Sequence, residues 1–508
     1  MRRTQVTAGG SADRVVADAR RIAKGTGIGL VGGAATYAFI LGYTFVCLQA
    51  LGTSGLGLLA LATVVNMLVS ETADLGMDFG LIRYATVWID RGRPEVARGL
   101  MWGALRRVAV GATLYALTLE AVSGPLLGDL IGQPKAVTAL RTLAVGIPLS
   151  ALTDILVAAL KARQTVVESS MILQFVGPGT RFGLALAAWA TGGGIETFAM
   201  TYVLAEALTF LIAFAITYRI VLVGPSVRDA QELSAMARYS LPLSLNRALL
   251  YSNNQTEILL LGVFGTPEMV GVFQVCIQLA LVTSAILAAI GAIFSPVVAA
   301  AFGNDDRPRI QSLYQLSTRW SLMVGLPLFL FVIGHAALIT QTLDIHDGAK
   351  ALVILSFGRL VDLATGTVAA VLMVAGHARL SLMNSLLFLG LSLGFDALLI
   401  PRYGLTGAAC ASALSLVIIN VVRVAQVWHY LHIQPVQREL ARVVVAAVIA
   451  AVPTLLVPDL SMPRLSEVIV LFGLLVAVYV PLVLLLVVDE TDRAVLEGIV
   501  RRVRPARA

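Results

Sequence analysis

From about residue 26 onward, long apolar runs alternate with short polar breaks. Each run has the ~20 residues that an α-helix needs to cross a hydrocarbon layer. The runs are continuously apolar and lack the period-two alternation of a membrane β-barrel, which excludes that class. Fourteen spanning helices are predicted, near 26–50, 55–77, 103–127, 137–160, 169–190, 196–220, 240–264, 269–296, 316–341, 349–375, 380–400, 405–429, 440–458 and 466–488. The expected fold is an all-α polytopic membrane protein.

The polar breaks differ by side. One set carries Arg83, Arg91, Arg93, Arg98 and Arg106, then Lys161 with Arg163, then Arg219, Arg228 and Arg238, and so on to Arg501, Arg502 and Arg504 in the tail. The opposite breaks, such as GTSG, TGGGIET and GTPEMVG, are short and nearly free of Lys and Arg. Basic residues mark cytoplasmic loops, so this bias places both termini in the cytoplasm, and a multi-pass position in the cytoplasmic (inner) membrane is expected. The polar N-terminal stretch is followed by no small-residue cleavage site, so the first span is expected to be retained.

An internal repeat underlies the pattern. LGTSGLGLLALATVV from Leu51 is echoed by FGTPEMVGVFQVCIQL from Phe264, about 212 residues later. IDRGRPEVARG from Ile89 is echoed by GNDDRPRIQS from Gly303, and KARQTVVESS from Lys161 by HARLSLMNS from His377. The order and offset are kept, and the repeats begin on the same side, so two parallel, pseudo-symmetric six-helix bundles around a central cavity are expected. The predicted organisation is a cytoplasmic N-terminal segment (1–24), a first bundle (25–223), a linker (224–238), a second bundle (239–432), two extra spans (433–488) and a basic tail (489–508).

Composition agrees. Of 508 residues 58% are hydrophobic and only 13% charged, with mean hydropathy +0.87; soluble domains carry roughly 25% charged residues. The net charge of +7 resides in span-flanking arginines and does not imply nucleic acid. Cys47, Cys276 and Cys410 lie far apart within apolar runs, giving neither a disulfide framework nor metal-ligand spacing. No phosphate-binding loop, HExxH or nucleophile elbow occurs, and no extramembrane segment is long enough for a catalytic domain. The expectation is a non-enzyme without cofactor or metal.

Function must therefore reside in charges placed inside spans, where each costs about 2.5–3.5 kcal/mol and so faces the bundle interior. Glu71, Asp74 and Asp78 are spaced by three and four residues and, on one helix, share a face. They either line the cavity as coupling or gating groups together with Arg83, or sit at the membrane surface opposite the basic loop. In the seventh span, Arg247, Tyr251 and Asn254 form a stripe with Glu257 beyond, beside Pro242. Arg247 is a candidate anion site, since a guanidinium holds phosphate through two parallel hydrogen bonds; the alternative is an ion pair with an acid of the other bundle. Arg359 and Asp362, at i and i+3, either line the cavity or neutralise each other. Arg181 is a further cavity candidate that could pair with Asp154, while Glu206, Asp396 and Arg423 have no partner identifiable from sequence.

DLGMDFGLIRYA, from Asp74, resembles the second-span signature of bacterial polysaccharide (O-antigen type) flippases, which belong to the multidrug/oligosaccharidyl-lipid/polysaccharide exporter superfamily. YSLPLSL at Tyr239 is similar to the start of their seventh span, and GTPEMVGVF to the turn before their eighth. The likeness covers roughly residues 20–435; Leu56 and Phe273 depart from it, standing where a Tyr is frequent. The resemblance implies flipping of an undecaprenyl-diphosphate-linked oligosaccharide from the cytoplasmic to the outer leaflet, among membrane lipids, with H+ or Na+ as coupling ion and with glycosyltransferases and a polysaccharide polymerase as partners. A lipid II flippase and a cation-coupled multidrug exporter are the alternatives.

Overall fold

The computed structural model describes residues 9–488 apart from 254, 304–306, 346, 376, 377, 436, 438 and 459, and describes only the backbone of 9–31, 250, 292, 293, 296 and 378. Residues 1–8 of the predicted N-terminal segment and the basic tail 489–508 lie outside the described part. All regular elements among the described residues are helical. Among the described residues, seven helices are long and apolar enough to cross a membrane, or up to nine if each bent pair is counted as one span. Two of these stretches, Gly32–Asp90 and Arg379–Leu431, have 59 and 53 residues, enough for two crossings each at ~20 residues per crossing.

The chain forms two compact units, residues 1–275 with 385–408, and residues 276–384 with 409–508. The first contains α1 (Gly9–Ala73), α2 (Met77–Asp90), α3 (Pro94–Ser123), α4 (Val137–Ala144), α5 (Ile147–Ala162), α6 (Val166–Met171), α7 (Gly177–Ala190), α8 (Ile195–Thr217), α9 (Ala230–Ser252) and α10 (Thr256–Phe264). Helix starts follow local chemistry. Pro94 opens α3 with Glu95 in the first turn, a position where a missing N–H costs nothing and an acid meets the positive helix end. Asp229 caps α9, its carboxylate accepting from the Gln231 and Glu232 amides at 3.0 Å each. Pro242 lies inside α9 without ending it; the chain breaks instead at Asn253, so Glu257 falls on the next helix, α10.

The two turns that announced the repeat meet each other. A Cβ added to Gly57 would strike the Pro267 carbonyl and come within 2.8 Å of the Gly271 nitrogen. One added to Gly271 would strike the Thr53 carbonyl and come within 3.1 Å of the Gly57 nitrogen. Position i touches j and its counterpart returns the contact, as a two-fold relation between repeats requires. Small residues permit this backbone-to-backbone approach where helices associate without a hydrophobic driving force. Gly57→Ala is expected to destabilise by about 2–3 kcal/mol because backbone cannot yield as a side chain can. Gly473→Ala, where a Cβ meets nothing within 4 Å, is the control. Thermal unfolding of both purified variants checks this, and equal melting points would refute the packing argument.

The second unit holds the rest of α11 (Pro267–Gly303), α12 (Arg307–Gly334), α13 (Ala336–Thr342), α14 (Gly348–Thr365), α15 (Val368–Val374), the remainder of α16 (Ala378–Leu431), α17 (Leu440–Leu456) and α18 (Arg464–Leu486). The two C-terminal helices pack on α12: Leu322, Phe329, Val443, Ala447, Leu475 and Tyr479 share one buried cluster. The Tyr479 hydroxyl donates to the Met323 carbonyl at 2.6 Å. That bond satisfies a polar group that would be costly in an apolar surrounding.

Candidate functional site

The site lies in the first unit and begins with a break in the helix. Leu75 and Gly76 take positive φ, 55° and 64°, which ends α1 at Ala73 and starts α2 at Met77. Asp74 stabilises the turn, its Oδ1 accepting the Gly76 amide at 2.9 Å. Gly76 is required twice over. Its left-handed conformation favours glycine, and a Cβ there would strike the Ser240 carbonyl and lie 2.9 Å from the Ser244 nitrogen of α9. Gly80, one turn on, leaves room for the Met236 side chain and Ser240 hydroxyl in the same way. Hence Asp74-Leu75-Gly76 and the Tyr239–Ser244 stretch are two sides of one helix contact. The three acids do not lie on a continuous helix, as the sequence spacing suggested; a sharp turn separates Glu71 from Asp78.

Arg247 of α9 enters that turn. Its Nη1 donates to Asp74 Oδ2 at 2.9 Å and its Nη2 to Asp78 Oδ2 at 2.5 Å. Its Nε lies 3.9 Å from Glu71 Oε2. The guanidinium carbon sits 4.6 Å from the Phe79 ring centroid, a cation–π contact that fixes the plane of the fork. Asp74 is fully buried, while the side chains of Arg247, Asp78 and Glu71 retain 19%, 17% and 35% exposure. Asp78 Oδ1 is buried without a hydrogen-bond partner among the described residues. Three carboxylates thus surround one guanidinium, and the cluster carries excess negative charge unless a proton or cation joins it. Arg83 lies near the same contact, its guanidinium 4.5 Å from the Tyr239 ring centroid.

Glu71 also lines a cavity of about 210 Å³, together with Asn66, Ser150, Asp154, Arg181 and Tyr202. Arg181 of α7 pairs with Glu206 of α8 through two hydrogen bonds, the Nε bond at 3.0 Å. It stacks over Tyr202 at 4.5 Å from guanidinium carbon to ring centroid. The pairing of Arg181 with Asp154 considered from sequence is therefore replaced by one with Glu206, because α7 and α8 are antiparallel neighbours whose polar positions face each other. Asp154 stays in the cavity wall. The Asn66 side-chain Oδ1 is buried without a partner among the described residues. Sequence reading did not select Asn66 or Tyr202; the four-residue spacing of Tyr202 and Glu206 on an otherwise apolar α8 was the available signal.

Tyr251 is half-buried near the end of α9, and Asn254 lies outside the described residues. Glu257 is buried and accepts from the Thr256 hydroxyl at 3.4 Å. Arg359 and Asp362 belong to the second unit, and among the described residues no ion pair joins them. Asp362 accepts instead from Asn420 Nδ2 at 3.0 Å, and Arg423 reaches Asn420 Oδ1 at 3.5 Å. The i, i+3 reading of Arg359 and Asp362 overlooked a polar neighbour on another helix.

A family model described as polysaccharide biosynthesis protein matches residues 50–343. A curated relative, the probable low-salt glycan biosynthesis flippase Agl15 of Haloferax volcanii, is 22% identical over 256 residues, covering 48% of this chain and 52% of that protein. The chain thus spans about half the length of that relative. Among solved structures, the lipid II flippase MurJ in an inward closed conformation superposes with a TM-score of 0.71 at 12% identity, covering 89% of this chain and 97% of that one. An inward-facing multidrug resistance MATE family transporter of the MOP superfamily gives 0.63 at 15%, covering 78% and 94%. A MOP superfamily transporter from Pyrococcus furiosus gives 0.58 at 15%, covering 81% and 96%. These identities establish a shared fold, that of multi-pass membrane transporters. The chain belongs to the polysaccharide biosynthesis protein family.

Proposed function

We propose that this protein flips a polyprenyl-diphosphate-linked oligosaccharide, carried on undecaprenyl, from the cytoplasmic to the outer leaflet by alternating access coupled to H+ or Na+. The two repeats, 25–223 and 239–432, would supply the moving halves. The chain would sit in a bacterial inner membrane with both termini cytoplasmic, supplied by glycosyltransferases and followed by a polysaccharide polymerase. The observation that carries this reading is the clamp of Glu71, Asp74 and Asp78 on Arg247, in a membrane-spanning fold and beside a polar cavity.

The chemistry runs as follows. A glycan diphosphate cannot cross hydrocarbon unaided, since burying its charge without partners is prohibitive. Arg247 has the planar fork that fits two phosphate oxygens, but three carboxylates hold it. A proton or sodium ion on those acids weakens their grip and frees the guanidinium for the diphosphate. Departure of the cargo lets the ion pairs re-form. Glu71, shared between the clamp and the cavity, is the natural entry point for the ion, with amide, hydroxyl and aromatic groups such as Asn66, Ser150 and Tyr202 to meet sugar hydroxyls. Arg83, held on Tyr239, would keep α2 and α9 moving together.

The test is transbilayer movement of a fluorescent undecaprenyl-diphosphate oligosaccharide in vesicles holding the purified protein, with lipid II and a cationic dye as competing cargoes. Movement well above empty vesicles, selective for the oligosaccharide and quickened by an imposed cation gradient, is expected. Movement of lipid II or of the dye in its place would overturn the cargo assignment.

A further inference from the structure

A second basic site lies where the inter-repeat linker crosses α3, away from the groups that clamp Arg247. The linker is built onto that helix. Its Val227 amide donates to the Glu95 carbonyl at 2.9 Å. Arg98 donates to the Val221 carbonyl at 3.2 Å and to the Pro225 carbonyl at 3.1 Å. Gly99 lies so close that a Cβ would strike the Val227 carbonyl, and a Cβ on Gly103 would come within 2.6 Å of the Leu233 side chain. The result is a pocket of about 320 Å³ lined by Trp102, Arg106, Arg107, Ser226, Arg228 and Leu233.

Among the described residues, three guanidinium groups line this pocket and no carboxylate does. Of the neighbouring acids, Asp229 caps α9 and Glu95 pairs with Arg93 at 3.3 Å, while Glu232, next to Leu233, does not line the pocket. Arg107 spends one N–H on the Leu233 carbonyl at 3.0 Å, whereas Arg106 and Arg228 are exposed and form no ion pair among the described residues. Like charges gathered without a counter-ion favour an anionic ligand, and forked donors favour phosphate. The same α3 face continues from Arg106 into Val110, Leu114 and Leu117, at i+4, i+8 and i+11. These three are 64%, 59% and 56% exposed, an apolar stripe on a helix of a membrane-spanning protein. Trp102 stands at the basic end, where indole rings prefer the boundary between hydrocarbon and headgroups.

We infer that this pocket binds a phosphate group carried by a membrane lipid, with the lipid's chains lying along Val110, Leu114 and Leu117. The chemistry is shared by an anionic bilayer phospholipid and by a polyprenyl phosphate carrier. The inference needs only that the chain spans a membrane, and it stands or falls separately from the flippase reading. Because Arg228 is in the linker that leads into α9, an occupied pocket ties α3 to the segment that precedes Arg247.

Lipid binding to the purified full-length protein, titrated by native mass spectrometry, tests it without any transport step. Phosphatidylglycerol is expected to bind about fivefold or more tighter than phosphatidylcholine of the same chains, as one or two arginines at a membrane surface would give. Arg106→Gln with Arg228→Gln should bring the two lipids to parity at an unchanged melting point. If the double variant does not fold, Arg228→Gln alone, at an exposed linker position, should cut the preference at least by half. Displacement of phosphatidylglycerol by undecaprenyl phosphate would assign the carrier as the ligand, and failure to displace would assign the bilayer phospholipid. Equal binding of the two phospholipids to the wild type, a preference that survives the substitutions, or displacement by equimolar inorganic phosphate would overturn the proposal.

Discussion

Under the proposed function, Arg247→Gln is expected to stop flipping of the lipid-linked oligosaccharide, while Arg247→Lys retains a small part of it. Glutamine keeps length and polarity but removes the charge and the fork. Lysine keeps the charge as a point donor that cannot meet two phosphate oxygens in parallel. Removing one partner of a buried, hydrogen-bonded charge pair costs about 2–5 kcal/mol, so the rate at subsaturating cargo should fall at least ~30-fold. Stability would fall too, since Asp74 and Asp78 lose the donor that holds Asp74 Oδ2 at 2.9 Å and Asp78 Oδ2 at 2.5 Å. A second variant separates the effects. Asp78→Asn combined with Arg247→Gln removes a charge from each side and should recover most of the lost melting temperature. If flipping recovers with it, Arg247 is a structural ion-pair partner and its role in holding diphosphate is refuted. If folding recovers and flipping does not, while Asp78→Asn alone still flips, the guanidinium acts on the cargo.

The limits of sequence reading fall at identifiable places. Hydropathy and flanking arginines were sufficient for the fold class, because a hydrocarbon solvent constrains the backbone to helices over long stretches. The likeness between the two glycine turns has a physical basis, since Gly57 and Gly271 are each in the other's way. The two family-like segments were also visible, but not that they touch. Asp74-Leu75-Gly76 reads as helix by periodicity, and only the positive φ of Leu75 and Gly76 reveals a turn. Arg181 and Glu206 were both seen as intramembrane charges without being joined, since 25 residues and a loop separate them. For Asp362, the i+3 neighbour Arg359 was legible and the actual donor, Asn420, was 58 residues away. Local spacing reveals which side chains share a helix face; it says nothing of which neighbouring helix answers that face.

Glu206→Ala is expected to be the most destabilising single substitution among the charged positions of the first unit. Glu206 is 5% exposed, and its Oε1 accepts both the Nε and an Nη of Arg181. Its loss leaves a guanidinium held, among the described residues, by the Tyr202 ring and by whatever water enters the cavity. Breaking a buried pair from one side costs about 3–5 kcal/mol, whereas replacing both partners by apolar residues of similar volume is close to neutral. Glu206→Gln should cost less, roughly 1–3 kcal/mol, since the amide oxygen still accepts one bond. Arg181→Leu with Glu206→Leu should then melt nearer to the wild type than Glu206→Ala does. The comparison has a functional arm, because Arg181 and Glu206 both line the cavity of about 210 Å³. A stable double variant that no longer moves the oligosaccharide would give Arg181 a part in cargo contact beyond its ion pair. One that flips at the wild-type rate would confine the pair to holding α7 against α8. A double variant less stable than Glu206→Ala would show that the buried pair stabilises the fold outright, against the expectation from desolvation.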